Sequence, residues 1–468
     1  MSRPAASISA SVGSARASDT PTSSGAREPA KPALRTAPAT PVMVSAIAEP
    51  TTSVTGSGIS EPAGTTGPTE AAVAPGGAEP TVGAEVPRDP GSAGCAEPSG
   101  TPGPRSLPLP PPGPQWYGSL MGTGILATLM QTLAGDLPGG RWLAVGLLVV
   151  GWCVFVGLTA AFGLRIVRRP GVLADTIRDL PVLATWGMVS MGVLSLGSAT
   201  ATVVPAHWPA LASTAWAVDG VLWSAGTVLG VLTALGFATR LIGREVGSPS
   251  TTWGLPIVPP MVSATTGAAL VPHLATRQPQ LLLVIVAVAC FFLALVLGFV
   301  VFAVAYHHHW RVAPLPLAAS TSAWIPLGVV GQSTAAAQAL AVQAQRFVLP
   351  EDTGTLVQLA NGYGMAMLTC GIPLIVWATA MTVRGFRGGM PYSPGWWALT
   401  FPIGTVCLGL RGLEGGTRVR AFGLASDAVC LVLLCTWTLC AVATVRAVRA
   451  QAFTTREATI PGEACAAS

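Results

Sequence analysis

Charge is what this chain has least of. Only 10% of its 468 residues are Asp, Glu, Lys or Arg, against about 25% in a soluble domain. Together with 51% apolar residues, that shortage excludes an ordinary cytosolic enzyme, which would expose far too much hydrophobic surface. A polytopic membrane protein is expected instead. Lysine is nearly absent: Lys31 stands alone among arginines. The net charge of +5 is modest and the bases are scattered at the ends of apolar runs, which argues against a nucleic-acid partner. No Cys-x-x-Cys, paired intramembrane His or Glu-x-x-His occurs, so neither a metal site nor a membrane-embedded enzyme has a motif behind it, and no cofactor is expected.

Residues 1–105 lack any apolar period. They are Ala, Pro, Ser, Thr and Gly with nine acids and seven bases. Such a segment cannot bury enough apolar surface to offset its ordering entropy, and it reads as a disordered cytoplasmic tail. No basic stretch followed by an apolar one marks it as a secretory signal.

What is present begins near Gln115. Leu281–Ala305 is an uncharged run of 25 residues, enough for the roughly 30 Å hydrocarbon core, which takes about 20. Ten spans are predicted: 115–134, 141–163, 181–204, 211–237, 252–273, 279–305, 321–343, 354–383, 394–413 and 423–448. They form a transport domain over 106–450, followed by a short cytoplasmic tail, 451–468. With the N-terminus inside, thirteen Arg face the cytoplasm and six face out, so both termini are expected inside.

The spans alternate in character. Odd spans carry Gly, Pro and hydroxyls: Gly118, Gly122 and Gly124; Gly187, Ser190 and Ser195; Pro256, Pro259, Pro260 and Ser263; Pro326, Gly328, Gly331 and Gln332; Pro402, Gly404 and Thr405. Even spans are longer and more uniformly apolar. A lipid-facing helix must be continuous, whereas broken helices are tolerated where protein or a cavity satisfies the backbone. Small residues also let helices approach closely. Odd spans are therefore expected inside and even spans outside, as five hairpins around a central pore. The fold class is all-α. Frequent Gly and Pro in membrane helices is the blander account of the same residues.

The inner spans hold no acid in their middles, so an acidic ring selecting cations is missing. Asp219 and Asp427 fall on outer spans and read as snorkelling or paired structural residues. Arg411, Arg418 and Arg420 would concentrate anions at the outer mouth; ordinary loop charge is the equal alternative. His307, His308 and His309 are adjacent and cannot all face one metal from a helix. Cys430, Cys435 and Cys440 rotate by about 140° per step and share no face.

Four segments go beyond composition: Trp116-Tyr117-Gly118-Ser119-Leu120-Met121-Gly122-Thr123-Gly124, the Trp253-Gly254-Leu255-Pro256 run continuing through Pro259-Pro260, Trp324-Ile325-Pro326-Leu327-Gly328-Val329-Val330-Gly331-Gln332, and Trp396-Trp397-Ala398-Leu399-Thr400-Phe401-Pro402. Together they resemble the tellurite-resistance/dicarboxylate transporter family, which includes plant slow anion channels, bacterial tellurite-resistance proteins, fungal malate permeases and fungal sulfite exporters. The resemblance covers about 106–450. It implies ten helices, a pseudo-fivefold pore, a homotrimer in the plasma membrane, and transport of small or organic anions such as C4-dicarboxylates, malate or sulfite. It also implies that Phe401 occludes the pore, a residue that by itself reads more plainly as packing. Gly118 and Gly122 would leave room beside that gate. Gly187, Ser263, Gly331, Gln332, Pro402 and Thr405 would line the path or adjoin the gate. The span-seven segment resembles sulfite-exporter and actinobacterial members more than the plant channels, which weakens transfer of chloride or nitrate selectivity. A proton-coupled dicarboxylate carrier on the same fold is the alternative.

Overall fold

A computed structural model describes residues 109–133, 139–243 and 247–459, with 453–459 described by backbone alone. The expected tail, 1–105, lies outside the described residues, as do Arg105 and Arg244. The described chain is helical and contains no strand. Its α-helices are α1 Tyr117–Leu133, α2 Gly140–Arg168, a short α3 Gly171–Arg178, α4 Leu180–His207, α5 Ala212–Leu241, α6 Pro259–Leu270, α7 Arg277–His307, α8 Ile325–Ala344, α9 Thr353–Arg387, α10 Phe401–Thr417 and α11 Arg420–Thr459. Ten of these fall on the ten expected spans. The short α3 was not expected, and α11 runs on into the segment assigned to a tail.

Eight helical stretches are long and apolar enough to cross a membrane. The other two expected spans rest on α1 and α10, which have 17 residues each. Both are preceded by 3₁₀ turns, Pro114–Trp116 and Pro394–Leu399. With those turns they measure roughly 30 and 37 Å, at about 1.5 Å per α-helical and 2.0 Å per 3₁₀ residue. Proline marks the breaks. Pro259 and Pro260, Pro326 and Pro402 sit at the first positions of α6, α8 and α10. Proline suits a helix start, and in a helix interior its missing N–H costs one backbone hydrogen bond, a cost α4 and α9 bear at Pro205 and Pro373. The chain ahead of α6, α8 and α10 winds as 3₁₀ turns, Thr251–Gly254, Leu317–Trp324 and Pro394–Leu399.

Burial sorts the helices into two sets. The most apolar windows of Leu180–His207, Thr251–His273 and Leu317–Ala344 are 61%, 89% and 83% buried. Those of α2, α5, α7, α9 and α11 range from 11% to 39%. The inner helices form a closed ring: α1 packs on α4, α4 on α6, α6 on α8, α8 on α10, and α10 on α1. Each outer helix lies against two neighbouring inner ones: α2 on α1 and α4, α5 on α4 and α6, α7 on α6 and α8, α9 on α8 and α10, and α11 on α10 and α1.

Tryptophans pin the two layers together. An indole N–H in an apolar layer needs an acceptor. Trp152 donates to Thr200 Oγ1 across α2 and α4, and Trp223 to the Ser263 carbonyl across α5 and α6. Trp324 donates to Thr382 across the α8 lead and α9, and Trp397 to Thr444 across the α10 lead and α11. Trp437 of α11 donates to Thr123 Oγ1 of α1 at 3.0 Å, joining the last helix to the first. On α11, Cys430 and Cys440 are buried while Cys435 is exposed, as their helical rotation requires. His308 and His309 follow α7 on a π-turn, His308–Val312.

Candidate anion path

Phe401 lies at the head of an inner helix of the ring. Phe401 is the first residue of α10, between the 3₁₀ lead and Pro402. Thr400 fixes that junction. Its backbone N–H and its hydroxyl both donate to the Trp397 carbonyl, and its own carbonyl accepts from Gly404 N–H at 3.0 Å. Phe401 is 3% exposed and belongs to a core cluster fed by every inner helix: Ile125 of α1, Met191 of α4, Met261 of α6 and Val329 of α8, with Ile403 of α10 itself.

The glycines and hydroxyls predicted for the path hold the seams between inner helices. A Cβ on Gly118 would lie 3.1 Å from Trp397 Cβ, and one on Gly122 would lie 2.9 Å from Thr400 Cβ. Both therefore seat α1 against the turn that leads into Phe401. A Cβ on Gly187 would run into the Leu255 carbonyl, and one on Gly331 into the backbone of Thr405 and Val406. Thr405 Oγ1 donates to the Pro402 carbonyl at 2.7 Å and reaches the Leu327 carbonyl of α8 at 3.4 Å. Ser263 donates to the Pro259 carbonyl within α6. Gln332 differs from these. It is buried, its carbonyl accepts from Thr265 Oγ1 across α6 and α8, and its Oε1 has no hydrogen-bond partner.

A cavity of about 700 Å³ opens at the far end of the ring, lined from α1 by Thr132, from α6 by Thr265, from α8 by Gln338, and from α10 by Arg411, Gly412 and Arg418. Arg411 stands ten residues, about 15 Å, along α10 from Phe401. No acid is among the described residues that line it. The three arginines predicted for this mouth are not equivalent. Arg411 Nη1 donates to Glu414 Oε2 at 2.6 Å, so its charge is largely met. Arg418 caps α10 with a left-handed backbone, φ 61°, and its guanidinium has no partner among the described residues. Arg420 is exposed at the start of α11 and does not line the cavity.

Asp219 departs from expectation. It neither snorkels nor pairs: it is 1% exposed, and its Oδ1 has no hydrogen-bond partner. It lies on the face of α5 against α4, where Gly197 leaves room for the carboxyl. A short side chain eight residues into the helix, about 10 Å from its end, cannot reach that end.

Sequence reading passed over Gln338 and Asn361, two buried amides on α8 and α9 that approach each other beside Gly416. Their signal was polarity inside apolar spans. It also passed over Glu414, three residues after Arg411 and so on the same helix face.

A neutral ring with a chamber lined by two arginines and, among the described residues, by no acid suits an anion far better than a cation. Comparison with known proteins agrees. The family model described as voltage-dependent anion channel, SLAC1, matches residues 113–445. The sulfite efflux pump SSU1 of Trichophyton rubrum is 26% identical over 336 residues, 70% of this chain and 88% of the relative. The sulfite efflux pump SSU1 of Arthroderma otae is 27% identical over 307 residues, 62% of this chain and 78% of the relative. An uncharacterized transporter of Methanocaldococcus jannaschii is 28% identical over 302 residues, 62% of this chain and 80% of the relative. The chain belongs to the voltage-dependent anion channel family, the tellurite-resistance/dicarboxylate transporter group that its motifs resemble, and is a multi-pass membrane protein of anion transport.

Proposed function

We propose that all ten long helices cross the bilayer and that a small anion passes along the axis of the inner ring, with Phe401 as the gate. The burial of Phe401 at the proline-marked head of α10, one of the five helices of the closed inner ring, carries this reading. An aromatic ring at a proline-marked helix start can close a narrow tube sterically and by excluding water. The anion sheds part of its hydration between backbone dipoles and small residues and gathers in the outer chamber. Sulfite is the substrate placed first, because the fungal relatives are sulfite efflux pumps; C4-dicarboxylates such as malate follow. The plasma membrane, a homotrimer and export from the cytoplasm complete the reading.

The test is Phe401→Ala in proteoliposomes given gradients of sulfite, malate, succinate, nitrate and chloride in turn. Removing the ring should raise flux of the carried anion by about tenfold or more, which corresponds to roughly 1.4 kcal/mol off the barrier. Unchanged or lower flux in a variant that keeps the wild-type melting temperature would remove Phe401 as the gate.

A further inference from the structure

We propose that Thr444 of the outer helix α11 is a positioning residue that holds Phe401 in its occluding place. The proposal deepens the reading of Phe401 as the gate and rests on it. It starts from one hydroxyl. A threonine hydroxyl has one hydrogen to give and two lone pairs to receive with, and Thr444 Oγ1 uses all three. It donates to the Cys440 carbonyl one turn back at 2.6 Å. That leaves its lone pairs for Trp397 Nε1, at 3.1 Å, and for the Tyr392 hydroxyl, at 2.6 Å. With the threonine hydrogen already given, Tyr392 is the donor in the last of these.

Both donors lie on the chain that leads to the gate. Tyr392 precedes the 3₁₀ lead Pro394–Leu399, and Trp397 stands within it. Trp397 is buried, so its indole N–H is closed off from water and needs the acceptor that Thr444 supplies. The indole is gripped from other sides as well. Gly118 and Gly122 of α1 bring bare backbone to it: a Cβ on Gly118 would lie 3.1 Å from Trp397 Cβ, and one on Gly122 would lie 3.2 Å from its ring. Trp437 of α11 meets it edge to face, with ring centroids 6.4 Å apart.

From Trp397 the hold passes to Phe401 through backbone. The Trp397 carbonyl accepts both the backbone N–H of Thr400, at 3.1 Å, and its hydroxyl, at 2.7 Å. Thr400 immediately precedes Phe401. A six-residue 3₁₀ segment has few hydrogen bonds of its own, with poorer geometry than an α-helix, so side-chain anchors decide where it sits. Loss of the Thr444 hydroxyl leaves the indole and the phenol without their acceptor, and the turn regains freedom at the residue that sets Thr400. An outer helix thereby fixes a residue of the inner ring.

Flux would be measured in proteoliposomes of the full-length protein, with whichever anion of sulfite, malate, succinate, nitrate and chloride the wild type carries fastest. Thr444→Val keeps the shape and removes the hydroxyl. It should raise flux about fivefold, the factor that one lost hydrogen bond supplies. Thr444→Ser restores the hydroxyl and should return flux to the wild-type level. In a Phe401→Ala background Thr444→Val should add nothing, because the ring it positions is gone. Thr382→Val is the control for a bond that is structural only: Thr382 of α9 accepts the Trp324 indole at 2.9 Å, and its loss should lower the melting temperature by a like amount with flux unchanged. Trp397→Phe removes the Thr444 bond from its other end and should repeat the rise; it decides the matter if Thr444→Val does not fold. Raised flux in Phe401→Ala with wild-type flux in Thr444→Val would overturn the positioning role alone, as would a further rise in the double variant or failure of serine to restore the wild-type level. Unchanged flux in Phe401→Ala would overturn the gate, and the positioning role with it.

Discussion

Gly187 and Gly331 stand where another segment's backbone arrives. A Cβ on Gly187 would meet the Leu255 carbonyl and lie 2.8 Å from Pro256 Cα; one on Gly331 would lie 2.6 Å from the Thr405 carbonyl oxygen. Backbone cannot rotate away as a flexible side chain does, so the helices themselves must part. Gly187→Ala or Gly331→Ala should therefore destabilise by about 1–3 kcal/mol, the usual cost of overpacking. Gly220, on the outer α5, has nothing within 4 Å of its Cβ position, and Gly220→Ala should stay within about 0.5 kcal/mol. Thermal unfolding in detergent would compare the three, and equal shifts would refute the seam argument. These glycines were legible in the sequence as members of odd spans, but not as seams. Spacing shows that a residue is small, not whether it faces the axis or a neighbouring helix. Gln338 carried only a weak signal for a related reason: one neutral amide in an alanine-rich run marks polarity but not whether it meets a cavity or a neighbouring helix. Glu414 was passed over, although its i, i+3 spacing from Arg411 puts the two on one helix face, and that pairing is what separates Arg411 from Arg418.

Hydropathy located whole helices well, because crossing a bilayer demands length and apolarity and little else. The uncharged Leu281–Ala305 run became α7, Arg277–His307. It did not reveal the 3₁₀ leads, since α and 3₁₀ turns bury the same residues and differ only in hydrogen-bond register. Proline gave partial notice of them at Pro259, Pro326 and Pro402. The alternation of small and apolar spans did foretell which helices are buried, because the chain's hairpins repeat in order and the contacts follow that repeat. What joins the first hairpin to the fifth could not be read from spacing. The Trp437–Thr123 bond crosses 314 residues. Its strength is measurable by a double-mutant cycle. Trp437→Phe and Thr123→Val each remove the bond while keeping most of the bulk, and their combination should show a coupling of about 0.5–1.5 kcal/mol. Strict additivity of the two losses would mean that packing alone closes the ring there.

Five hairpins of one sense give the whole molecule two unlike faces. Every inner helix starts at the same face, and every outer helix returns to it. At that face Arg165 of α2 donates to the Pro112 carbonyl, Arg240 of α5 to the Ile177 carbonyl, and Arg384 of α9 to the Leu315 carbonyl. Each arginine thus ties the end of an outer helix to a carbonyl just ahead of an inner one and contributes to a basic belt. The opposite face has Arg411, matched by Glu414, and Arg418, which has no ion-pair partner among the described residues. Arginine near span ends is retained on the cytoplasmic side, so the belt face is expected inside, and with it both termini. The same argument would put the cavity beside Arg411 and Arg418 on the outer side. Reporter fusions after Ser468 decide the matter. Alkaline phosphatase, which needs an oxidising compartment to form its disulfides, should be inactive there, while a cytoplasmic fluorescent protein should be bright. The reverse pattern would turn the molecule over and put the cavity beside Arg411 and Arg418 on the cytoplasmic side.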